Sequence, residues 1–384
     1  MTNNKDKKVL NVPNLRFPEF TGEWKKERLD EIAELSKGIG ISKEQLSSNG
    51  NPCILYGELY TKYKSEIISE VISKTNIEKN KLKHSKQNDV IIPCSGETAV
   101  DIAVARCVPF DNVLLGGDLN IIRLHKYDGA FMAYQLNSKR KIEIAKLAQG
   151  VSVVHLYGEN LKSINTYNPS LQEQQKIVRL LSLLDERIAT QNKIIEDLKK
   201  LKSAISERLF KSVKGFTVLL SDLCDIVKGK QINGENLSDS GNYYVMNGGT
   251  EPSGYYDNYN VEASTISISE GGNSCGYVQF NTSPFWSGGH CYSIQNIADK
   301  VDNMYLYHYL KSNEDAIMKL RIGSGLPNIQ KKDLAMFKII VPKIEWQIKI
   351  STFLSSLERK AEIEERIQNV MQKQKLYLLQ QMFI

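Results

Sequence analysis

The chain has 384 residues, 41% of them hydrophobic and 24% charged, with 50 Lys and Arg against 44 Asp and Glu for a net charge of +6. At roughly 150 residues per domain the length fits two or three domains, and the composition excludes a largely disordered or collagen-like chain. No apolar run approaches the ~18 residues of a membrane span, and no apolar stretch follows the polar opening Met1 to Lys8, so a soluble cytoplasmic protein is expected. The cysteines at 53, 94, 107, 224, 275 and 291 include no Cys-x-x-Cys pair. His290 beside Cys291 does not by itself make a zinc site, and the thiols are read as reduced.

In chain order, residues 1–15 read as a flexible polar tail. The segment 16–169 follows, with strands expected at Asp89–Ile92 and Asn120–Leu124 and a helix at Asp128–Leu147. Ser170 and Glu173 behind Pro169 read as a capping box opening a long helix, 170–214, which Lys214 and Gly215 stop. Along it Ile177, Leu181, Leu184, Ile188, Gln191, Ile195, Leu198, Lys202, Ile205 and Leu209 keep a 4-3 spacing, the seam of a coiled coil. Residues 215–342 form a second segment, with strands at Ser264–Ile268 and Phe337–Val341 and a helix at Asn303–Leu320. The last element, 343–384, is a second long helix with a poorer seam through Ile350, Leu354, Leu357, Ala361, Glu364, Gln368, Met371, Lys375, Leu378 and Met382. Apolar residues beside the seams, Leu180, Ile194 and Leu201 on one helix and Ile363, Ile367, Val370 and Tyr377 on the other, suggest more than one packing partner for each. Helices of about 40 residues run roughly 60 Å at ~1.5 Å per residue, too long for an ordinary domain core.

The chain repeats itself. Leu29, Ile32, Leu35, Lys37, Gly38, Ile41, Glu44 and Leu46 return 191 residues later as Leu220, Leu223, Ile226, Lys228, Gly229, Ile232, Glu235 and Leu237. Leu161, Pro169, Gln174, Lys176, Ile177, Leu181, Leu184, Lys202 and Phe210 return 173 residues later as Leu334, Pro342, Gln347, Lys349, Ile350, Leu354, Leu357, Lys375 and Phe383. The ends of the two copies agree while their middles diverge, and the second middle is 18 residues shorter. Each unit is thus an α+β segment followed by a long helix, without alternating βαβ.

Catalytic signatures are missing. There is no Pro-Pro for an amine-holding methyltransferase loop, Gly38 and Gly40 follow a helical pattern, and Gly229-Lys230 lacks P-loop spacing. Carboxylate-x-Lys pairs such as Glu23 with Lys25 and Asp197 with Lys199 are ordinary in a chain this charged, and no nucleophile elbow occurs. No catalytic, cofactor-binding or metal-binding residue is assigned. Charge divides as +4 over residues 170–215 and −4 over 216–342, less basic than expected of a protein binding DNA alone by phosphate neutralisation. The second segment nonetheless interleaves Tyr243, Tyr244, Tyr255, Tyr256, Tyr259, Phe285 and Trp286 with Asn, Ser and Gly, side chains that can reach base edges from loops, at least half of the aromatics being accounted for as core.

Asn11 through Phe20 with Trp24 and Leu29, and the paired helix entries Pro169-x-Leu171-x-x-Gln174-x-Lys176-Ile177 and Pro342-x-Ile344-x-x-Gln347-x-Lys349-Ile350, resemble the specificity subunits of type I restriction–modification systems. Trp346 stands where the first copy has Glu173, a departure expected to touch only local capping. The resemblance implies two pseudo-two-fold-related α+β target-recognition domains separated by two long antiparallel coiled-coil helices. Each domain would read half of a bipartite double-stranded DNA site. The helices would dock two methyltransferase subunits carrying S-adenosylmethionine, and motor-nuclease subunits using ATP and Mg would complete the complex. This chain itself would be non-catalytic and bind no cofactor. Half-sites about a helical turn apart, roughly 34–36 Å, would be set by the helices as a ruler, so that changing their length changes the spacer.

Equivalent loops of the two copies supply the DNA-contact candidates: Lys37, Ser42, Ser95, Glu97, Thr98, Ser152 and His155 in the first, Lys228, Asn233, Asn273, Ser274, Arg321, Ser324 and Asn328 in the second. Subunit-interface candidates are Ile177, Leu181, Leu184, Ile188, Ile195, Leu198, Ile205 and Leu209 on the first helix and Ile350, Leu354, Leu357, Ile363, Ile367, Val370, Met371 and Leu378 on the second. The competing class is a non-enzymatic coiled-coil adaptor with two protein-binding heads, and a third is a self-contained nuclease or methyltransferase. Sequence-selective binding to one duplex separates the first two, and activity of the chain alone would mark the third.

Overall fold

The computed structural model describes residues 10–323 and 325–384. They fall into two compact units: unit 1 runs up to Asn192 and takes in Ile367–Ile384, and unit 2 is Lys193–Arg366. The long helices are Leu171–Ser212 and Ile344–Met382, each contributing residues to both units.

The repeat seen in the sequence is a repeat of topology. Unit 1 has a four-stranded antiparallel sheet ordered Ala33–Lys37, Leu119–Leu124, Asp89–Pro93, Arg106–Val108. Unit 2 has the same sheet, ordered Asp225–Lys228, Cys291–Gln295, Thr265–Ser269, Val278–Asn281. A ribbon leads into each long helix: Lys25–Arg28 pairs with Asn165–Asn168, and Phe216–Leu219 with Lys338–Val341. The divergent middles build different small sheets, five strands in unit 1 and three in unit 2. Asp89–Pro93 and Thr265–Ser269 are buried at every position; the first carries the unbroken apolar run Val90–Ile92, while the second keeps a Thr-Ile-Ser-Ile-Ser alternation although both of its faces are covered.

Two helices expected as single pieces are each broken. Gly129–Asn137 and Arg140–Lys146 replace Asp128–Leu147, because the Asn137 side chain leaves the helix to bond both backbone groups of Ala105 (2.8 and 2.9 Å). Asn303–Ser312 and Glu314–Met318 replace Asn303–Leu320, with Asn313 between them donating from its side chain to the Tyr309 carbonyl (2.8 Å). Residues 1–9 of the expected flexible tail lie outside the described residues, and 10–15 are tied to unit 1: the Leu15 amide donates to the Gln381 carbonyl (2.9 Å) and the Asn14 amide group to the Gln381 side chain (3.0 Å).

The matched glutamines explain the helix entries. Gln174 and Gln347 are fully buried, and each donates to the carbonyl of the preceding matched proline, Pro169 (2.9 Å) or Pro342 (2.8 Å). Each also accepts from the backbone amide of Asp128 (3.0 Å) or Asp302 (2.8 Å), the N-caps of Gly129–Asn137 and Asn303–Ser312. One side chain thereby fixes the long helix to its α+β segment. Glu173 does more than cap: it is buried and accepts from Arg16 (2.7 and 2.8 Å) and the Trp24 indole (3.2 Å). Trp346, its counterpart, is 58% exposed, so the departure at that position removes an ion pair and corrects the expectation of a local capping change.

The matched phenylalanines close the cores. Phe383 lies 5.3 Å from Phe131 in a cluster with Trp24, Tyr134, Ile177 and Leu181 in unit 1. Phe210 lies 5.8 Å from Tyr305, among Ile350, Leu354 and Leu306 in unit 2. The end of each long helix therefore seals the segment that leads into the other helix.

Candidate nucleic-acid interface

Both four-stranded sheets end in one arrangement. Lys37 pairs with Asn120 across its sheet and Lys228 with Tyr292 across the other. In unit 1 the Cys94 amide donates to the Asp118 carbonyl (2.7 Å) and the Leu156 amide to the Cys94 carbonyl (2.7 Å). In unit 2 the Glu270 amide donates to the His290 carbonyl (2.9 Å) and the Ile329 amide to the Glu270 carbonyl (2.8 Å). Ser95 bridges to His155 as Gly271 does to Asn328. Each sheet end thus gathers a lysine, the residue after the central strand and two loops, in the same backbone frame.

The side chains on that frame differ. In unit 1 Lys37 and Asp118 are exposed, the Lys37 ammonium lies 5.9 Å from the Tyr157 ring centre, and His155 stacks on Tyr157 at 6.2 Å. The Cys94 thiol is buried, which pushes it up to about 11 and leaves it a small apolar group at neutral pH. In unit 2 Lys228 bonds the buried Glu270 carboxylate (2.6 Å), which also accepts from the Tyr292 hydroxyl (3.1 Å), and exposed His290 stands over it. Burial and Glu270 together raise Tyr292, keeping it a neutral donor. Glu270, His290, Asp118 and Tyr157 were not among the expected contact residues; the acid between the expected strand Ser264–Ile268 and Gly271 was the available signal for Glu270.

Of the other expected contact residues, Ser95 is buried and donates to Asp118 (3.1 Å). The Thr98 hydroxyl caps Ala99–Ile102, accepting from the Asp101 amide (3.2 Å). Ser42 and Asn233 both open 3-10 turns, at Lys43–Gln45 and Gly234–Asn236. The hydroxyls of Ser95 and Thr98, both expected as DNA-contact candidates, are thus engaged in local hydrogen bonds. Glu97, Ser152, His155, Asn273, Arg321 and Asn328 are exposed and Ser274 is half-buried, while Ser324 lies outside the described residues. Among the aromatics, Phe285 is core with Tyr244 stacked on it at 5.6 Å, and Tyr259 stays 42% exposed. Among the described residues no group of three or more His, Cys, Asp or Glu could hold a metal ion, and no helix is long and apolar enough to cross a membrane.

Burial sorts the helix candidates. Every seam position is buried or half-buried. Ile177 and Leu181 belong to the core of unit 1 and Ile350 and Leu354 to that of unit 2, and Ile195 is buried, a correction for residues expected to face other subunits. Leu184, Ile188, Leu198, Ile205, Leu209, Leu357, Met371 and Leu378 are half-buried. The second stripe is exposed: Leu180, Ile367, Val370 and Tyr377 in unit 1, Ile194, Leu201 and Ile363 in unit 2. The helices run antiparallel within each unit. In unit 1 Asp185 meets Lys375 (2.6 Å) and Asn192 meets Gln368; in unit 2 Lys199 meets Glu365 (2.6 Å) and Lys202 meets Glu358.

The duplicated module has counterparts among known proteins. The chain belongs to the family of type I restriction modification DNA specificity domains, whose model matches residues 21–200 and again 215–373. A Mycoplasma genitalium protein named as a type I specificity subunit is 34% identical over 122 residues, 31% of either chain. The specificity subunit of the type I restriction enzyme MjaVIII from Methanocaldococcus jannaschii is 23% identical over 415 residues, covering 97% of this chain and 94% of that one. The chain spans about a third of the length of the two mycoplasma relatives it matches, 31% and 38%. In fold it is similar to the crystal structure of a type I restriction-modification system S subunit from M. genitalium, with a TM-score of 0.67 at 20% identity over 97% of this chain and 99% of that one.

Proposed function

We propose that this chain is the DNA-recognition subunit of a type I restriction–modification complex. Each α+β unit reads one half of a bipartite duplex site, and methyltransferase and motor-nuclease subunits supply the chemistry. The observation that carries this reading is the repeated sheet end: one backbone frame with a lysine in both units, and different side chains around it. A structural feature would keep its side chains along with its frame; a reader of two unlike half-sites keeps the frame and varies what it presents. The modest net charge fits a protein whose partners share the phosphate contacts. The exposed stripes beside the buried seams offer the methyltransferase subunits apolar surface that this chain leaves uncovered. S-adenosylmethionine, and ATP with Mg, are assigned to those partner subunits, and this chain is non-catalytic.

The test is to express the chain with the methyltransferase subunits of its own system and map methylated adenines. The expected result is one asymmetric motif in two parts with a fixed gap. Methylation indifferent to sequence would overturn the reading, as would the adaptor outcome, a stable protein complex with no selective affinity for any duplex.

A further inference from the structure

We propose that Lys228, Glu270 and His290 form a base-reading element of unit 2, in which Glu270 is the positioning residue and Lys228 and His290 present a donor beside an acceptor to the major-groove edge of an adenine. The inference rests on the reading above and adds to it the residues and the base. Glu270 is 6% exposed at the end of Thr265–Ser269, and its backbone is held on both sides by His290 and Ile329. Its Oε1 accepts from Lys228 Nζ (2.6 Å) and from the Tyr292 hydroxyl (3.1 Å). Its Oε2 is buried without a hydrogen-bond partner among the described residues, and His290 Nδ1 lies 3.7 Å away.

A buried carboxylate oxygen lacking a donor is costly. A donor stands near it: a shift of the exposed His290 ring by less than ~1 Å would bring Nδ1 to hydrogen-bond distance. In the tautomer whose Nδ1–H donates to Oε2, the ring's other nitrogen, Nε2, is an acceptor. Lys228, whose side chain is 53% exposed, keeps two further N–H donors after bonding Oε1. One carboxylate therefore holds a donor and an acceptor side by side at the sheet end. In the major groove adenine offers an N7 acceptor next to its N6 donor, whereas guanine offers two acceptors. The pair suits adenine.

Unit 1 shows why these positions set specificity and do not merely support the fold. Lys37, Cys94 and Asp118 occupy the same places, held by the same two backbone hydrogen bonds. The lysine is kept, while the buried carboxylate becomes an apolar thiol and the imidazole becomes an exposed carboxylate. The frame folds with either set.

The test uses the complex assembled with its methyltransferase subunits, acting on a library of random duplexes, with methylated sites sequenced for the wild type and for His290→Ala, Glu270→Gln and Lys228→Met. The expected result is an A·T pair at one position of the half-site read by unit 2 whose preference falls about tenfold in His290→Ala and Glu270→Gln. Every other position, including the half-site of unit 1, keeps its preference. His290 is exposed, so its variant carries the test even if Glu270→Gln impairs folding. Unchanged preference in His290→Ala, uniform loss on all sequences, or relaxation at a G·C pair overturns the element while the proposed function stands. A wild type that methylates without selectivity overturns both.

Discussion

Lys375 and Lys202 stand where each helical seam would ordinarily carry an apolar residue. The structure gives both the same role. Lys375 reaches Glu66 (2.5 Å) and Asp185 (2.6 Å), with Tyr134 donating to Asp185 (2.7 Å); Lys202 pairs with Glu358, which accepts from Tyr307 (3.0 Å). In unit 1 the network is nearly closed to solvent, Lys375 at 14% and its partners at 8% and 9%. Lys375→Met strands two buried carboxylates and is expected to cost about 3–5 kcal/mol, against a smaller loss for Lys202→Met, whose partner is 28% exposed; urea unfolding of the two variants measures the difference. His308 gives a pH prediction. It is 2% exposed with Ser355 as partner (2.8 Å), and burial lowers it to about 4. The folded state resists protonation while the unfolded chain takes a proton near pH 6.5, so stability falls as pH drops from 6.5 toward 4, by up to about 3 kcal/mol. His308→Gln should flatten that part of a plot of unfolding midpoint against pH, and a parallel slope would assign the loss to other groups.

Among elements, the long helices carry two apolar faces with different fates, and mutation separates them. Leu354→Ala opens a cavity at a fully buried seam position and should cost about 2–5 kcal/mol of stability. Val370→Lys, on a residue 65% exposed, should leave the unfolding midpoint within about 0.5 kcal/mol of the wild type yet weaken co-purification with methyltransferase subunits. A stability loss at Val370 matching that at Leu354 would return the second stripe to the fold. The long helices, their seams and the repeat were legible because a 4-3 period sustained over about 40 residues has no competing explanation. The inner strands were legible, one as the apolar run Val90–Ile92 and the other as the alternation Thr265–Ser269, though their partners were not, since neither pattern names the strand it pairs with. What sits at the sheet ends was least legible. Glu270 and His290 lie 20 residues apart, and Lys375 and Glu66 are separated by 309, distances over which no local pattern operates. Ser95 and Thr98 read as contacts because a hydroxyl that caps a turn and one that meets a base look the same in one dimension.

For the molecule as a whole, each unit has its own hydrophobic clusters and its own sheet end. Replacing residues 16–169 with the matching segment of another family member should therefore change one half of the methylated motif and leave the other intact, as sequencing of methylated sites would report. A change in both halves would mean the units read DNA jointly. The division of the chain also has a consequence for how it is made. Unit 2 is one contiguous stretch, Lys193–Arg366, whereas unit 1 needs Ile367–Ile384 to finish it. On the ribosome the module begun first is completed last: Trp24, Phe131 and Tyr134, with Ile177 and Leu181, wait only partly covered through the synthesis of the entire second module until Leu379, Met382 and Phe383 emerge. Nascent chains stalled before residue 367 should carry that sticky surface, and the burden of chaperoning this protein falls on its earliest-made half.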